Sequence, residues 1–258
     1  MQWMTLLKKE LIENWRNRKF IWVPLVFILL AIMEPLSTYY MPEILDAVGG
    51  LPEGTVLDMP ELPPGDVLML SLAQFSSLGV LLIVLLSMGT IAGERKSGVA
   101  ELILVKPVSY TNYITAKWLA LFILVFIAFL LGLAGGFYYT TILFGELPMS
   151  AFFYTLLFYS LWLAFVVTIS IFYNTIFNSP GLVAFASIAT IILMSVITQV
   201  FGHVLDWSPN QISAYLSQMM VEETVSKDLI ATGLTTAGMT IILLVLSVIM
   251  FKRKELAN

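Results

Sequence analysis

The sequence predicts an all-α membrane protein with six transmembrane helices, and three observations predict it. The chain of 258 residues is 59% hydrophobic and only 12% charged, about half the charged fraction of an ordinary soluble domain. Its apolar residues gather in runs long enough to cross a hydrocarbon core about 30 Å thick, which takes about 20 helical residues. Its charge is also segregated. Twelve of the thirteen Lys and Arg fall in alternate connections: Lys8, Lys9, Arg16, Arg18 and Lys19, then Arg95, Lys96, Lys106 and Lys117, then Lys252, Arg253 and Lys254. Only Lys227 lies in the other set, which instead carries acidic groups such as Glu43, Asp58, Glu146, Asp206 and Glu222. Basic loops stay on the cytoplasmic side because they cross a bilayer poorly. The expected topology is therefore an even number of spans in the cell membrane, with both termini cytoplasmic.

The elements follow in order. Residues 1–17 come first, where Trp3, Met4, Leu7, Leu11 and Trp15 recur at helical spacing opposite Lys8, Lys9, Glu13 and Arg16. An apolar face with tryptophans against a basic face suits a helix lying in the membrane interface. Spans are expected at 19–40, 66–92, 113–143, 150–174, 180–205 and 229–251. The first is too long, and ends in the wrong residues, for a cleaved leader. The second and third exceed what a bilayer needs and are expected to tilt or protrude. Between spans one and two, 41–65 is rich in Pro and Gly and reads as a loop. Asn178-Ser179-Pro180 stops span four and starts span five, since proline is favoured in a first helical turn. After Ser208-Pro209, the residues Ile212, Tyr215, Leu216, Met219 and Met220 predict a short surface or re-entrant helix, with Ser208 or Asn210 able to cap it. The whole chain, 1–258, reads as one membrane-embedded domain.

A catalytic site is not found. There is no cysteine and one histidine, His203, which removes thiolate chemistry, disulfides and any His-x-x-x-His metal pair within the chain. Gly93 to Gly98 has the glycine spacing of a phosphate loop, but Val99-Ala100 stand where Lys and Ser/Thr are required. The chain is therefore expected to hold no cofactor and no metal, and to hydrolyse no nucleotide alone. Short basic clusters at membrane boundaries also argue against nucleic acid. Glu34, Gln199 and His203 are the candidate pathway residues, because polar groups in membrane helices are often functional. For each, hydration at the interface is the simpler alternative. Gly89-x-x-x-Gly93 and Gly132-x-x-x-Gly136 are spacings that allow close helix packing within the subunit.

The most informative segment is the connection after span two. It enters on Gly93-Glu94-Arg95-Lys96-Ser97-Gly98 and continues through Glu101-Leu102-Ile103-Leu104. It then reaches Lys106-Pro107-Val108-Ser109 and returns to the membrane at Lys117. A short amphipathic helix ended by a proline suits docking into a groove of a soluble partner; an ordinary hydrated loop is the alternative.

At these residues the chain resembles the permease subunit of ABC-2-type transporters, with Val99 in place of the usual threonine. The resemblance implies a type V exporter-like fold, with an interface helix, six spans and a cytoplasmic coupling helix in a loop at 93–112. It implies two partners, an ABC ATPase subunit supplying ATP and magnesium and a second permease forming a dimer, within membrane lipid. Glu94, Gly98, Glu101, Leu102, Lys106, Pro107 and Ser109 would then form the ATPase-coupling surface. Family members move lipids, peptides, antibiotics, polysaccharides or ions, usually outward. An ion-coupled secondary transporter, or a non-transporting membrane partner of a sensing complex, are the other readings.

Overall fold

The computed structural model describes residues 2–47, 62–98 and 109–255, and the described residues contain helices and no strand. The amphipathic segment forms α1 (Gln2–Arg16). It turns into α2 (Lys19–Tyr39) through Asn17 and Arg18, with Arg18 in the left-handed region at φ 55°. A non-glycine residue held there costs about 1–3 kcal/mol, offset by the contacts of the two helices it joins. Span two is α4 (Pro64–Gln74), a π-helical turn (Phe75–Gly79) and α5 (Val80–Ser87), followed after a break by the short α6 (Ala92–Lys96). Span three is one helix, α7 (Tyr110–Phe144), and span four is α8 (Met149–Ile176). Spans five and six are α9 (Pro180–Val200) and α11 (Lys227–Glu255), joined by a 3-10 turn (Pro209–Gln211) and α10 (Ile212–Glu222). Among the described residues, six helices are thus long and apolar enough to cross a membrane, as the sequence predicts.

α8 is the axis of the bundle. Of its apolar window 78% is buried, against 22% in α9 and α11, whose exposed Leu193, Val196, Leu234 and Ile241 are suited to lipid or to another subunit. α2 packs along α7 at close range, and glycine is what permits it: a Cβ on Gly132 would meet the Phe27 carbonyl oxygen at 2.9 Å and the Phe75 ring at 3.0 Å. Gly132→Val is accordingly expected to cost about 1–3 kcal/mol, the range of an overpacked core, read as a lowered midpoint in detergent thermal unfolding. Gly136 faces Ala31 in the same groove, whereas nothing lies within 4 Å of a Cβ at Gly89 or Gly93. Among the described residues, the first of the two glycine spacings therefore marks no close contact.

The π-helical turn has a visible support. Phe75 stacks on Phe27 and meets Phe129 edge-on, and Phe129 stacks on Tyr159. The fully buried Tyr159 hydroxyl donates to the Leu72 carbonyl at 3.2 Å, so it accepts the 2.8 Å hydrogen bond from Ser76 Oγ. Such turns interrupt the regular ladder and commonly sit at functional places.

Three local expectations are revised. Met41–Ala47 forms a helix, α3, where a loop was expected; its Pro sits in the first turn, where its missing N–H costs nothing. Neither Ser208 nor Asn210 caps the helix after span five: Ser208 Oγ pairs with Thr198 Oγ1 instead, at 2.9 Å. Span five ends at Val200 rather than 205. In α1, which lies outside these revisions, Leu7 packs on Ala116 and Ala120 while Met4 and Trp15 stay exposed.

Candidate functional site

The polar machinery concentrates at the basic end of the bundle, where α1, α6, the start of α7 and the ends of α8 and α11 meet. Its centre is Lys117, about two turns inside α7 and only 2% exposed. Burying an ammonium is costly unless it is paired and hydrogen-bonded. Here Nζ donates to Glu94 Oε1 at 2.8 Å and to Glu10 Oε1 at 2.9 Å. The same two carboxylates receive Lys9 Nζ at 3.1 and 3.0 Å, and Glu13 adds a 3.3 Å pair on the exposed side. The second oxygen of Glu94 accepts from the Tyr113 hydroxyl. Burial alone would favour a neutral Lys9, but Glu10 and Glu94 outweigh it and raise its pKa well above the ordinary lysine value. Trp3 Nε1 donates to Thr115 Oγ1 at 3.0 Å. Through these bonds α1 is held against α7 and α6 together.

Arg95, the next residue, turns to the other flank. Its guanidinium lies 4.7 Å from the centre of the Phe251 ring, and Phe251 stacks on Tyr113. Nη1 donates to the Thr175 carbonyl at 3.3 Å and to Asn178 Oδ1 at 3.4 Å. Lys254 Nζ donates to the Ile176 carbonyl at 2.6 Å and to the same Asn178 oxygen at 3.0 Å. Two cations thus sit on the last carbonyls of α8, the end of a helix that attracts positive charge. The pair Glu94-Arg95 grips one neighbouring layer with each side chain.

The entry to α6 is fixed by one buried amide. Between Ser87 and Ala92 the helical ladder is interrupted, leaving backbone donors without helical partners. Asn174 Oδ1 accepts from the N–H of Ile91 at 3.1 Å and of Ala92 at 3.0 Å. Its Nδ2 donates to the Ser87 carbonyl at 3.0 Å and to the Ser170 carbonyl at 2.9 Å. Two acceptor and two donor bonds use the full capacity of the side chain. A further buried bond, Ser87 Oγ to Ser170 Oγ at 2.6 Å, ties the same two helices.

Of the residues the sequence singles out, Glu94 is central, but its carboxylate is spent inside the chain. Gly98 has φ +76°, a left-handed conformation that glycine adopts readily, and Ser109 caps α7 by accepting from the Asn112 N–H at 3.2 Å. Glu101, Leu102, Lys106 and Pro107 lie outside the described residues. Glu34 accepts a hydrogen bond from Gln74 Nε2, while Gln199 and His203 are exposed at and beyond the far end of α9. No hydrogen bond or ion pair joins these three among the described residues. The sequence reading missed Glu10, Lys9, Tyr113, Arg95 and Asn174 as a connected set. A lysine and an asparagine inside apolar spans were the signal available for Lys117 and Asn174.

One group of carboxylates, Glu10, Glu13 and Glu94, lies close enough to share a cation, with oxygens within 4.8 Å of one another. The Lys9 and Lys117 ammoniums already occupy that role. Among the described residues, the arrangement is a short charged helix clamped on three sides by hydrogen bonds and ion pairs.

Fold and site together define a multi-pass helical membrane protein of transporter-permease type. The chain belongs to the ABC-2 family transporter proteins, whose family model matches residues 4–256. It is also similar to a Bacillus subtilis (strain 168) protein described as "Uncharacterized transmembrane protein YxlG", with 35% identity over 254 residues and 98% of each chain covered.

Proposed function

We propose that this chain is the permease subunit of an ATP-driven exporter, paired with a second permease and driven by a separate ABC ATPase that brings ATP and magnesium. The basic end faces the cytoplasm of a cell membrane, as loops rich in Lys and Arg favour. The observation that carries the proposal is the clamp on α6. A partner pushing on the loop after Gly98 would move a helix already bonded to α1 and α7 through Glu94, and to α8 and α11 through Arg95. The force therefore reaches four helices at once. In this reading Glu101, Leu102, Lys106 and Pro107 contribute to the surface that meets the ATPase, while Glu94, Gly98 and Ser109 hold the loop's two ends. The substrate is a lipid, a peptide or antibiotic, or an ion. The unconnected positions of Glu34, Gln199 and His203 support this reading over an ion-coupled carrier, which needs a continuous relay.

The test is co-purification in mild detergent followed by transport in vesicles. An ATPase is expected to accompany the wild-type chain. Glu94→Ala is expected to insert normally yet lose at least about tenfold of ATP-dependent flux, the effect of about 1.4 kcal/mol of coupling. Normal flux in Glu94→Ala at equal expression, or flux that follows an ion gradient without ATPase, counts against the proposal.

A further inference from the structure

Beside the charged cluster lies a cavity of about 270 Å³, walled by α1, the start of α2, the break between α5 and α6, and α7. Glu10, Glu94 and Lys117 reach its edge, but their charges are already committed to one another and to Lys9. Three other polar groups on its walls are not committed. Asn14 is only 7% exposed, and its amide makes no hydrogen bond among the described residues. Buried amides nearly always have partners. Nor is this one sealed in: the unpartnered side-chain atoms without accessible surface are, among the described residues, Thr140 Oγ1, Thr155 Oγ1 and Asn210 Nδ2. The Asn14 amide therefore keeps accessible surface, and the cavity is the space it lines.

Lys19, the first residue of α2, is half-buried on the same wall. Glu13 and Glu10 attract it through space, yet it forms no ion pair or hydrogen bond among the described residues. The Thr90 hydroxyl, in the break after α5, is also without a partner among the described residues. An ammonium, an amide and a hydroxyl thus border one space with donors to spare.

Charge decides what fits there. Lys9, Lys19 and Lys117 balance Glu10, Glu13 and Glu94 among the described walls and their partners. A lone anion or cation upsets that balance, and an apolar group leaves the donors dry. A group carrying both charges preserves it. Its anion meets Lys19 and Asn14, and its cation meets Glu13, whose printed pair is the exposed 3.3 Å contact with Lys9. Leu85, Leu86 and Leu121 line the cavity as well, so polar and apolar walls meet where the charged end gives way to the spans. The volume falls short of the about 300 Å³ at which drug-sized sites begin.

We infer that this cavity binds a phosphoethanolamine group, its phosphate accepting from Lys19 Nζ, Asn14 Nδ2 and the Thr90 hydroxyl, and its ammonium donating to Glu13. Phosphate and ammonium both make charge-assisted hydrogen bonds, the stronger kind. Carried on a phospholipid, the group joins α1 and span two to α2, which the Lys117 ion pairs do not reach. Its part is that of a fastener rather than cargo. The inference does not rest on the permease reading: binding is measured on the isolated chain, so a missing ATPase leaves it untouched.

The test is native mass spectrometry of the full-length protein in detergent, titrated with dioleoyl phosphatidylethanolamine. One saturable site per chain is expected. Phosphatidylcholine has a trimethylated nitrogen that cannot donate, and phosphatidylglycerol has no cation. Both are expected to bind about tenfold more weakly, equivalent to about 1.4 kcal/mol and in keeping with one lost hydrogen bond to a charged group. Lys19→Met breaks no ion pair among the described residues, so it should keep the lipid-free melting temperature while weakening phosphatidylethanolamine about tenfold. Asn14→Leu should weaken it about threefold to tenfold, as one neutral donor is lost. Glu13 is exposed, so Glu13→Gln leaves the fold intact and should erase the preference over phosphatidylglycerol. Soluble O-phosphoethanolamine separates the sources. An affinity equal to the lipid's assigns a free ligand and a weaker one assigns the membrane lipid, and either upholds the headgroup chemistry. Equal binding of the three lipids, a preference that survives Glu13→Gln, or unchanged affinity in Lys19→Met and Asn14→Leu overturns the inference.

Discussion

Lys117→Met is expected to lower stability by about 3–5 kcal/mol, the cost of breaking a buried ion pair by removing one partner. The reason is specific to its place. Glu10 and Glu94 are only 12% and 15% exposed and both rely on its ammonium. Lys9, their remaining counter-charge, is 41% exposed and shared with Glu13, so water screens it and its compensation is weaker. With Lys117 gone, repulsion between the two carboxylates should detach α1. The Asn17–Arg18 turn would then open to trypsin, which cuts after Arg16 and Arg18. Unfolding in detergent micelles and the rate of that cleavage are the two measurements. Lys117→Met combined with Glu10→Leu and Glu94→Leu is expected to regain most of the stability, because a matched apolar set replaces a buried charged one. It should not regain transport, since α6 would have lost its hold on α1. A single-variant loss under about 1 kcal/mol would show that the network is hydrated and contributes little.

Asn174→Ala is expected to be comparably severe without changing any charge. It strands the N–H groups of Ile91 and Ala92, which have no other bond in the break between α5 and α6. At about 1–3 kcal/mol for each unsatisfied buried donor, the loss is about 2–6 kcal/mol. Asn174→Leu keeps the branched shape of the side chain and should be no better than Ala, since what is lost is hydrogen bonding rather than packing. Ser170 and Ser87 sit one turn away on the two helices and hold them together, so the bundle should persist while α6 loses its fixed start. The expected phenotype is normal membrane insertion, a lower melting temperature and uncoupled ATP turnover. A leucine variant close to wild type in melting temperature would assign Asn174 a filling role only.

Much of this molecule is legible in its amino-acid sequence. The six spans, the amphipathic first helix, the short link before Pro180 and the helix at Ile212–Glu222 all follow from hydropathy, periodicity and proline placement. These are local properties, written within about twenty neighbouring residues. Where the reading failed, a longer-range partner had intervened. Ser208 looks like a cap but is claimed by Thr198. The second span looked merely overlong; the π-helical turn and the break before α6 occupy its extra length, and neither leaves a periodicity that sequence alone distinguishes.

The charged site divides in the same way. Glu94 stood out by its place in a recognisable loop, but its partners did not. Lys117 and Glu10 are 107 residues apart, and Trp3 and Thr115 are 112 apart. By itself the sequence determined that this chain carries six helices long and apolar enough to cross a membrane, with twelve of its thirteen Lys and Arg in alternate connections, because lipid selects residues one segment at a time. Only the tertiary structure decided that Lys117, Glu94, Glu10 and Tyr113 share one buried cluster and that Asn174 starts the helix beyond the break. A buried polar group must find its partner wherever the chain brings one within about 3 Å, and that meeting is a property of the packed bundle rather than of any stretch within it.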